Sequence, residues 1–361
     1  MGSRKAHTRR DFLRGTVGAA AGASLIGLGG CFPDVGGSWA ALTAACVDED
    51  PVVPVTEAGR VVEVVREDSV LQVTDPGSGA GRLEVQAAAM RPMLDAALAA
   101  LTDGAAQPWS VLLPEVGAAT RIGIKVNCLN QQLPTSVALV RALVDSLREG
   151  LGITPDRLVV WDRRLDELTL CGFTAESVGA PVRGTVNSIT DGGGPGYTAA
   201  ICGVVEGQAP RFSRILTDLT DLTINCPVLK THRVSGVTAA FKNIYGIIDN
   251  PGDYHDNLVT ALPALYRLPP IRRAIRLSLC DALLAVTRGG TSDPPDATPR
   301  RVLLARDPLA LDRYALDLVN GIRATAQPPL GAVDAKVTGW LQGAADLGLG
   351  SLQYELQTIT Q

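Results

Sequence analysis

Two histidines and two lysines share one glycine-punctuated stretch of the chain, and these residue types move protons and bind anions. The chain has three histidines, and two of them, His232 and His255, lie here with Lys230 and Lys242. An imidazole exchanges protons near neutral pH, or binds a metal ion when it is neutral. The lysines favour an anion such as a carboxylate or phosphate. We therefore predict proton transfer on a small anion, with His232, Lys242 and His255 as catalytic residues.

Polar side chains also follow several short apolar segments that have the character of strands. In an open parallel sheet, ligands bind beyond the carboxyl ends of the strands. Each Asn or Asp at such a position could instead cap a helix or satisfy a loop. Because several strands end alike, we predict a shared ligand-binding crevice formed by Lys125, Asn127, Asp162, Asn225, Lys230, Asn243 and Asp281.

Other chemistries are open at the same stretch. The two histidines have no carboxylate at short spacing and match no zinc motif, so His255 as a metal ligand rests on residue type alone. Cys226 could act as a nucleophile with His232, but it directly follows an apolar strand, where a buried thiol is the favoured interpretation. The rival functions are a non-catalytic binding lipoprotein and a redox or metal carrier.

The segments that must position these residues alternate between strand and helix patterns. Strand patterns cover 60–65, 69–74, 121–127, 157–162, 199–205, 222–225 and 300–306, whereas 276–286 fits a strand or a helix. Helix patterns cover 83–102, 135–152, 164–173, 237–248, 307–322 and 334–346. We expect Pro92 to kink or divide the first helix. The alternation predicts an α/β fold, an open, mostly parallel sheet with helices on both faces, in one or two lobes.

The first 31 residues have the layout of an export signal. An arginine pair, Arg9-Arg10, precedes Phe12 and a weakly apolar run rich in Gly and Ala, which matches a twin-arginine leader. The run is shorter than the roughly 20 apolar residues of a membrane-spanning helix. We therefore predict a leader over 1–31 that the twin-arginine export machinery reads, which places the protein in the periplasm or cell envelope.

The end of this leader, Leu28-Gly29-Gly30-Cys31, resembles a lipoprotein cleavage box. A lipid on Cys31 would anchor the protein to a membrane surface without spanning the membrane. Residues 32–58 have no sustained pattern and are predicted to be a tether. Residues 59–361 are predicted to form the α/β domain.

Charge and cysteine spacing exclude several classes of protein. Without the leader, five basic residues and one acid are lost, which leaves 28 basic and 36 acidic residues and a net charge of −8. Such a chain, without a Lys/Arg cluster, argues against nucleic acid or electrostatic lipid binding. The six remaining cysteines include no C-x-x-C pair, so no ferredoxin-type cluster or zinc ribbon is predicted. We expect most of them to be buried thiols.

Several motifs together resemble the family catalogued as domain of unknown function 362. They are IKVN at 124–127, INCP at 224–227, LKTH at 229–232, FKNIYG at 241–246 with the following His255, Asp281, and DPLALD at 307–312. The resemblance covers roughly residues 120–320. It implies twin-arginine export, which many members share, but no settled reaction. Many members carry ferredoxin-like cysteine clusters, which this sequence lacks, and TRGGTSDPPD replaces the usual Gly-Pro segment after Asp281.

The spacing of the catalytic candidates also distantly resembles that of nickel-pincer lactate racemases. Those enzymes have a histidine, then ten residues later a lysine that holds the pincer cofactor, then a histidine that binds nickel. The resemblance implies an acid/base role for His232, cofactor attachment at Lys242, nickel binding at His255, and a racemase- or isomerase-like reaction. Ser235-Gly236 matches only part of the glycine-rich segment between the first two.

Overall fold

Short apolar strands build one large sheet that carries the rest of the fold. The computed structural model describes Cys46, Val55, residues 57–74 and residues 80–361. The predicted leader, Cys31 and most of the predicted tether lie outside these residues. The strands are β1 Gly59–Val65, β2 Val70–Thr74, β3 Gly81–Val85, β4 Ile122–Lys125, β5 Leu158–Arg164, β6 Val182–Val186, β7 Leu222–Asn225, β8 Val228–His232, β9 Gly236–Thr238, β10 Ile275–Val286, β11 Arg301–Ala305 and β12 Tyr354–Thr360.

Ten of these strands belong to the main sheet, and most of their pairings are parallel. The spatial order is β12-β1-β11-β10-β7-β4-β5-β6, with β8 paired to β10 and β9 paired to β8. Only the pairs β1–β11, β10–β11 and β8–β9 are antiparallel. Strands β2 and β3 form a separate hairpin. The predicted open, mostly parallel sheet is therefore confirmed.

In the part of the chain that the structure describes from Val55 onward, ten helices flank the sheet. They are α1 Ala87–Leu101, α2 Pro108–Leu112, α3 Val137–Leu151, α4 Leu165–Leu170, α5 Ala175–Val178, α6 Ala240–Asn243, α7 Leu258–Arg267, α8 Pro269–Ala274, α9 Pro308–Thr325 and α10 Trp340–Asp346. Single helical turns cover Glu67–Ser69, Pro155–Arg157, Ile215–Leu219, Ile244–Gly246 and Pro251–Tyr254. No helix of the described residues is long and apolar enough to cross a membrane.

Alternate side chains of β5 show that both faces of the sheet are covered. Val159 and Trp161 belong to one apolar core, which includes residues of α6 to α10. Leu158 and Val160 belong to a second core, which includes residues of α1, α2 and α3. Because successive side chains of a strand point to opposite faces, the sheet has a layer of helices on each side, as predicted.

The helix predicted over 83–102 is wrong at its start. Its first three residues belong to β3, which pairs with β2, and the helix begins at Ala87. The helix continues through Pro92 without a division. A proline there removes one hydrogen bond of the second turn, and the buried side chains of Met90, Met93 and Leu94 hold the helix against the core.

Other predicted boundaries also differ from the structure. The segment 199–205 contains no strand; its apolar side chains at Ile201 and Val204 are exposed, so their pattern reflects no buried face. Cys202 of this segment forms a disulfide with Cys46. The other four described cysteines are free, and three of them are buried. The final helix, predicted over 334–346, begins only at α10, and α7, α8 and β12 were not predicted.

Candidate functional site

One cavity collects most of the residues that the sequence singles out. It has a volume of about 130 Å³, which is room for a few water molecules or a small organic anion. Three of the five lysines of the chain contribute to its wall. The lining residues are Lys125, Asn127, Leu129, Asp162, Arg163, Lys230, His232, Thr238, Lys242, Asn243, Tyr245, Gly246, Pro251, His255 and Thr291.

Two kinds of element position these side chains. The carboxyl ends of β4 and β5 present Lys125 and Asp162, as expected for an open parallel sheet. The sequence analysis predicts no strand at Lys230 and His232, but both residues lie on β8, which forms a hairpin with β9. The predicted helix over 237–248 is also wrong in length. It is reduced to α6 and a following single turn, and a second turn leads to His255.

Lys125 and Asp162 form a buried ion pair. The Lys125 Nζ lies 2.7 Å from an Asp162 carboxylate oxygen and also donates to the carbonyl of Val126. Asp162 accepts two further hydrogen bonds, from the backbone N–H groups of Cys128 and Arg163. Full pairing of this kind is what a buried charge requires. Asp162 is therefore committed to holding the strand ends together.

Gly246 allows this ion pair to approach the backbone. A Cβ atom at this position would lie 2.8 Å from both the Lys125 Nζ and the Asp162 carboxylate oxygen. Real side chains do not make such close contacts, so only glycine fits here without moving the pair.

A chain of amide groups runs beside the ion pair. The Lys230 Nζ donates to the Asn127 side-chain oxygen at 2.8 Å, and Asn127 donates to Asn243 at 2.9 Å. Asn243 in turn donates to the Asn225 side-chain oxygen at 2.8 Å, and Asn225 donates to the Ala240 carbonyl. We call Lys125, Asn127, Asp162, Asn225 and Asn243 the anchored set, because these side chains bind one another or the backbone.

Two predicted ligand-binding residues do not line the cavity. Asn225 is fully buried and acts one step behind the wall, through Asn243. Asp281 is buried elsewhere, where it accepts hydrogen bonds from the backbone N–H groups of Ser136 and Leu283. Its carboxylate therefore holds the start of α3, which is the capping role that Asp residues commonly take.

Asp312, which the sequence analysis did not assign to the site, supports it from behind. Its two carboxylate oxygens accept from the backbone N–H groups of Ala240 and Phe241, at 2.6 and 2.9 Å. These bonds hold the start of α6, the short helix that carries Lys242. Burial raises the pKa of Asp312 to about 7, although the two hydrogen bonds oppose the shift. Asp312, the last residue of the DPLALD motif, thus helps to position Lys242 by holding the start of α6.

The two histidines expose opposite hydrogen-bonding functions. The His232 Nδ1 accepts from the backbone N–H groups of Val234 and Ser235, so in a neutral ring its Nε2 carries the hydrogen. The His255 Nδ1 lies 3.0 Å from the Pro251 carbonyl and must donate to it, so its Nε2 has a free lone pair. The ring centroids are 5.9 Å apart. One imidazole can donate to a ligand while the other accepts a proton from it.

Both imidazoles are held neutral. Burial lowers the pKa of His232 to about 3, and the charges that Lys242, His255 and Lys230 carry whenever they are protonated act in the same direction. Burial also lowers the pKa of His255, and a protonated Lys242 would lower it further. At neutral pH, His232 is therefore a hydrogen-bond donor without a charge, and His255 is an unprotonated base.

The two lysines beside the histidines differ in charge. Burial lowers the pKa of Lys230 to about 8, with Asp162 acting in the opposite direction, so this amine is mostly protonated at pH 7. Burial lowers the pKa of Lys242 far more strongly. The Lys242 Nζ lies 3.1 Å from the centroid of the Tyr245 ring.

The contact with Tyr245 favours a charged Lys242, and burial opposes it. An ammonium on a ring face gains about 2 kcal/mol when both are desolvated, whereas burying an unpaired ion costs several kcal/mol. Within the described part of the chain no carboxylate forms an ion pair with Lys242. We therefore assign it a neutral amine. We call Lys230, His232, Lys242 and His255 the open set, because each has hydrogen-bonding capacity that the described residues leave unused.

Two further hydroxyl groups of the wall have no partner among the described residues. The Thr238 Oγ1 and the Tyr245 Oη are buried and make no hydrogen bond. Orphaned buried polar atoms are rare in folded proteins and indicate a missing partner such as a ligand or water. The sequence analysis assigned neither residue, although Tyr245 stands within the FKNIYG motif.

The donor set of the cavity fits an anion better than a metal ion. Among the residues that the structure describes, no group of three His, Cys, Asp or Glu could hold a metal. Asp162 is already committed to Lys125, and the Lys230 ammonium repels a cation. His255 as a metal or nickel ligand stays a prediction. Cys226 is fully buried outside the lining, and burial raises the pKa of its thiol, so the geometry gives it no nucleophilic role.

Comparison with known proteins places the chain in a family but brings no activity. No curated protein matches it. A Thermotoga maritima protein of known crystal structure is similar at 12% sequence identity and a TM-score of 0.37, over 66% of this chain and 59% of that one. The match spans less than two thirds of that protein, and a likeness this weak carries no argument. A family model described as Domain of unknown function (DUF362) matches residues 122–317, which is more than half of the chain, so the chain belongs to this family, as its motifs predicted.

Proposed function

We propose that the protein is an enzyme that binds a small anion in this cavity and transfers a proton on it. The observation that carries the proposal is the pair of neutral histidines with opposite free functions, beside Lys230 and Lys242, which pair with no carboxylate of the described residues. The Lys230 ammonium attracts the anion. His255 takes up a proton from the substrate, and the His232 Nε2–H donates to a neighbouring oxygen. A neutral imidazole can polarise a carbonyl in this way.

A small carboxylate that carries a carbonyl group suits these roles. Its carboxylate binds the ammonium, its carbonyl oxygen accepts from His232, and the adjacent C–H group faces the base. General base catalysis by a positioned side chain contributes about 10²- to 10⁴-fold. The volume of about 130 Å³ suits a substrate of a few carbon atoms.

Thermal unfolding with acetate, pyruvate and phosphate tests the binding step. Ligand at 100 times its Kd stabilises a folded protein by about 2.7 kcal/mol. We expect at least one of these anions to stabilise the wild type and to lose this effect in Lys230→Met. The exposed lysine variant Lys336→Met is the matched control and should respond as the wild type does. Equal stabilisation of all three proteins would place binding outside this cavity.

Deuterium exchange into the methyl group of pyruvate, followed by NMR in D₂O, tests proton transfer. We expect exchange with the wild type and a loss of at least about 100-fold in His255→Gln. Stabilisation by pyruvate without any exchange above the buffer rate would instead favour the rival function, non-catalytic anion binding.

We also propose that the protein is exported by the twin-arginine route, with Cys31 as a candidate lipid attachment site. The Arg9-Arg10 leader and the Cys46–Cys202 disulfide support this, since disulfides persist in oxidising compartments. In the native host, replacing both arginines by lysine should retain the protein in the cytoplasm on cell fractionation. Unchanged export would refute the proposed route.

A further inference from the structure

We propose that Lys242 forms a Schiff base with the carbonyl carbon of a small 2-oxo acid, which the cavity then holds covalently during proton transfer. The inference rests on the proposed function, because it names a substrate class for the same site. It also gives a chemical role to the one lysine of the cavity that has no polar partner in the described residues.

The surroundings of Lys242 are those of an amine nucleophile. The residue is only 8% exposed, its Nζ lies against the Tyr245 ring, and it lines the cavity beside both histidines. A lysine that is desolvated in this way keeps its lone pair at neutral pH and can attack a carbonyl carbon. Burial lowers its pKa well below the ordinary value, in agreement with the geometry.

The three lysines of the cavity are not equivalent. Lys125 is ion-paired to Asp162, and Lys230 donates to Asn127. Only Lys242 has neither bond. The chain contains 33 lysines and arginines, and just five of them are lysines, yet three of those five are here. A guanidinium could bind an anion equally well but cannot lose its proton, so amine chemistry is a reason for lysine at this place.

Charge complementarity selects an acid as the carbonyl compound. An iminium ion on Lys242 would be a buried positive charge, which needs a counter-ion. Asp162 cannot serve, since it is committed to Lys125. The carboxylate of a 2-oxo acid arrives with the carbonyl and supplies the missing negative charge. A simple aldehyde or ketone would bring no such compensation.

The covalent step balances without any redox partner. The Nζ lone pair forms a bond to the carbonyl carbon, and the C=O π-electrons move to oxygen. Both hydrogens of the neutral amine end on that oxygen, with His255 as the relay, and the oxygen leaves as water when the C=N bond forms. A proton from solvent, passed on by His255, then converts the imine to an iminium ion and leaves His255 neutral. The positive charge acidifies the adjacent C–H group, and His255 takes up the proton that this group loses.

Reductive trapping tests the proposal on the full-length protein. Separate samples receive glyoxylate, pyruvate or 2-oxobutyrate with sodium cyanoborohydride, and peptide mass spectrometry measures the carboxyalkyl adduct on each lysine. We expect Lys242 to be modified at least tenfold faster than the exposed Lys336 with at least one acid. Acetaldehyde, which lacks the carboxylate, should show no such preference for Lys242.

The outcomes separate this inference from the proposed function. Modification of Lys242 no faster than Lys336 with all three acids would overturn the Schiff base. If the same acids still stabilised the wild type but not Lys230→Met, the anion site would stand without it. Absence of both trapping and stabilisation would refute both. In Lys242→Arg, thermal unfolding verifies the fold, and the rapid adduct should disappear.

Discussion

The open set lines the cavity, the anchored set lines it or, at Asn225, supports its wall from behind, and the two sets solve different physical problems. In the anchored set, the ion pair and the amide chain give each buried polar group a partner. In the open set, His232 and His255 bond to the described residues through Nδ1 alone, and Lys242 contacts a ring face. Satisfied groups stabilise a fold, whereas groups with unused capacity are available to a ligand. The contrast therefore assigns structure to one set and chemistry to the other.

Asp162→Asn should give the largest loss of stability, because it leaves the buried ammonium of Lys125 without a counter-ion. Breaking a buried pair on one side costs about 3–5 kcal/mol. Asp95→Asn is the matched control, since Asp95 pairs with Arg91 at the surface, where pairs contribute less than about 1 kcal/mol. Denaturant unfolding measures both. Similar losses for the two variants would remove the distinction between the sets.

Asn225→Ala should have an intermediate effect. It leaves the Asn243 side-chain N–H and the Ala240 carbonyl without partners, and each orphaned group costs about 1–3 kcal/mol. Because these partners belong to α6, we also expect weaker anion stabilisation, although Asn225 itself does not line the cavity. An unfolding free energy within about 0.5 kcal/mol of the wild type would show that the amide chain is not structural.

His232→Gln should have the smallest effect on stability, less than about 1 kcal/mol at pH 7, where the imidazole is neutral in both states. Its pKa is about 3 in the folded protein and ordinarily 6.5. Between these values the unfolded chain binds more protons, so the stability that depends on this residue is lost as pH falls from 6.5 towards 3.

The pH dependence of unfolding checks this sign. The difference between variant and wild type at pH 4 and pH 7 isolates His232 from Asp312, whose raised pKa makes stability fall with rising pH over a similar range. We expect the variant to lose less stability on acidification. An equal loss in both proteins would mean that His232 is not held neutral by the fold.

The sequence predicted that the side chains of the anchored set share one crevice, as ligand-binding residues, but it did not predict the bonds that they make with one another or the supports around them. Lys125 and Asp162 follow apolar strands, and the edge of a parallel sheet brings such ends together. The same reasoning failed at Asp281. This residue lies within β10 rather than at its end, and its carboxylate holds the start of α3. Asp312 ends the DPLALD motif, but nothing local indicates its role, since its partners lie about 70 residues away and depend on how α9 packs.

The residues of the open set were predicted from their residue types, but the strand β8, which carries Lys230 and His232, was not predicted. Lys230 and His232 follow Pro227 and lie close to residues that favour turns. This local sequence gave no sign of the five-residue strand β8. Tertiary pairing with β10 overrides that local preference. The tautomers of His232 and His255 depend on backbone groups within four residues, yet only the folded loop geometry shows which nitrogen they use.

The position of Lys230 and His232 on β8 has a consequence for engineering. They are two residues apart on a strand, so both side chains stand on one side of it, with Thr231 between them on the other. Deleting or inserting one residue before Lys230 would shift the strand register and turn both away from the cavity together. Substitutions in β8 can alter Lys230 and His232 one at a time. A change in the length of the strand would instead remove an anion-binding amine and a proton donor from the cavity together.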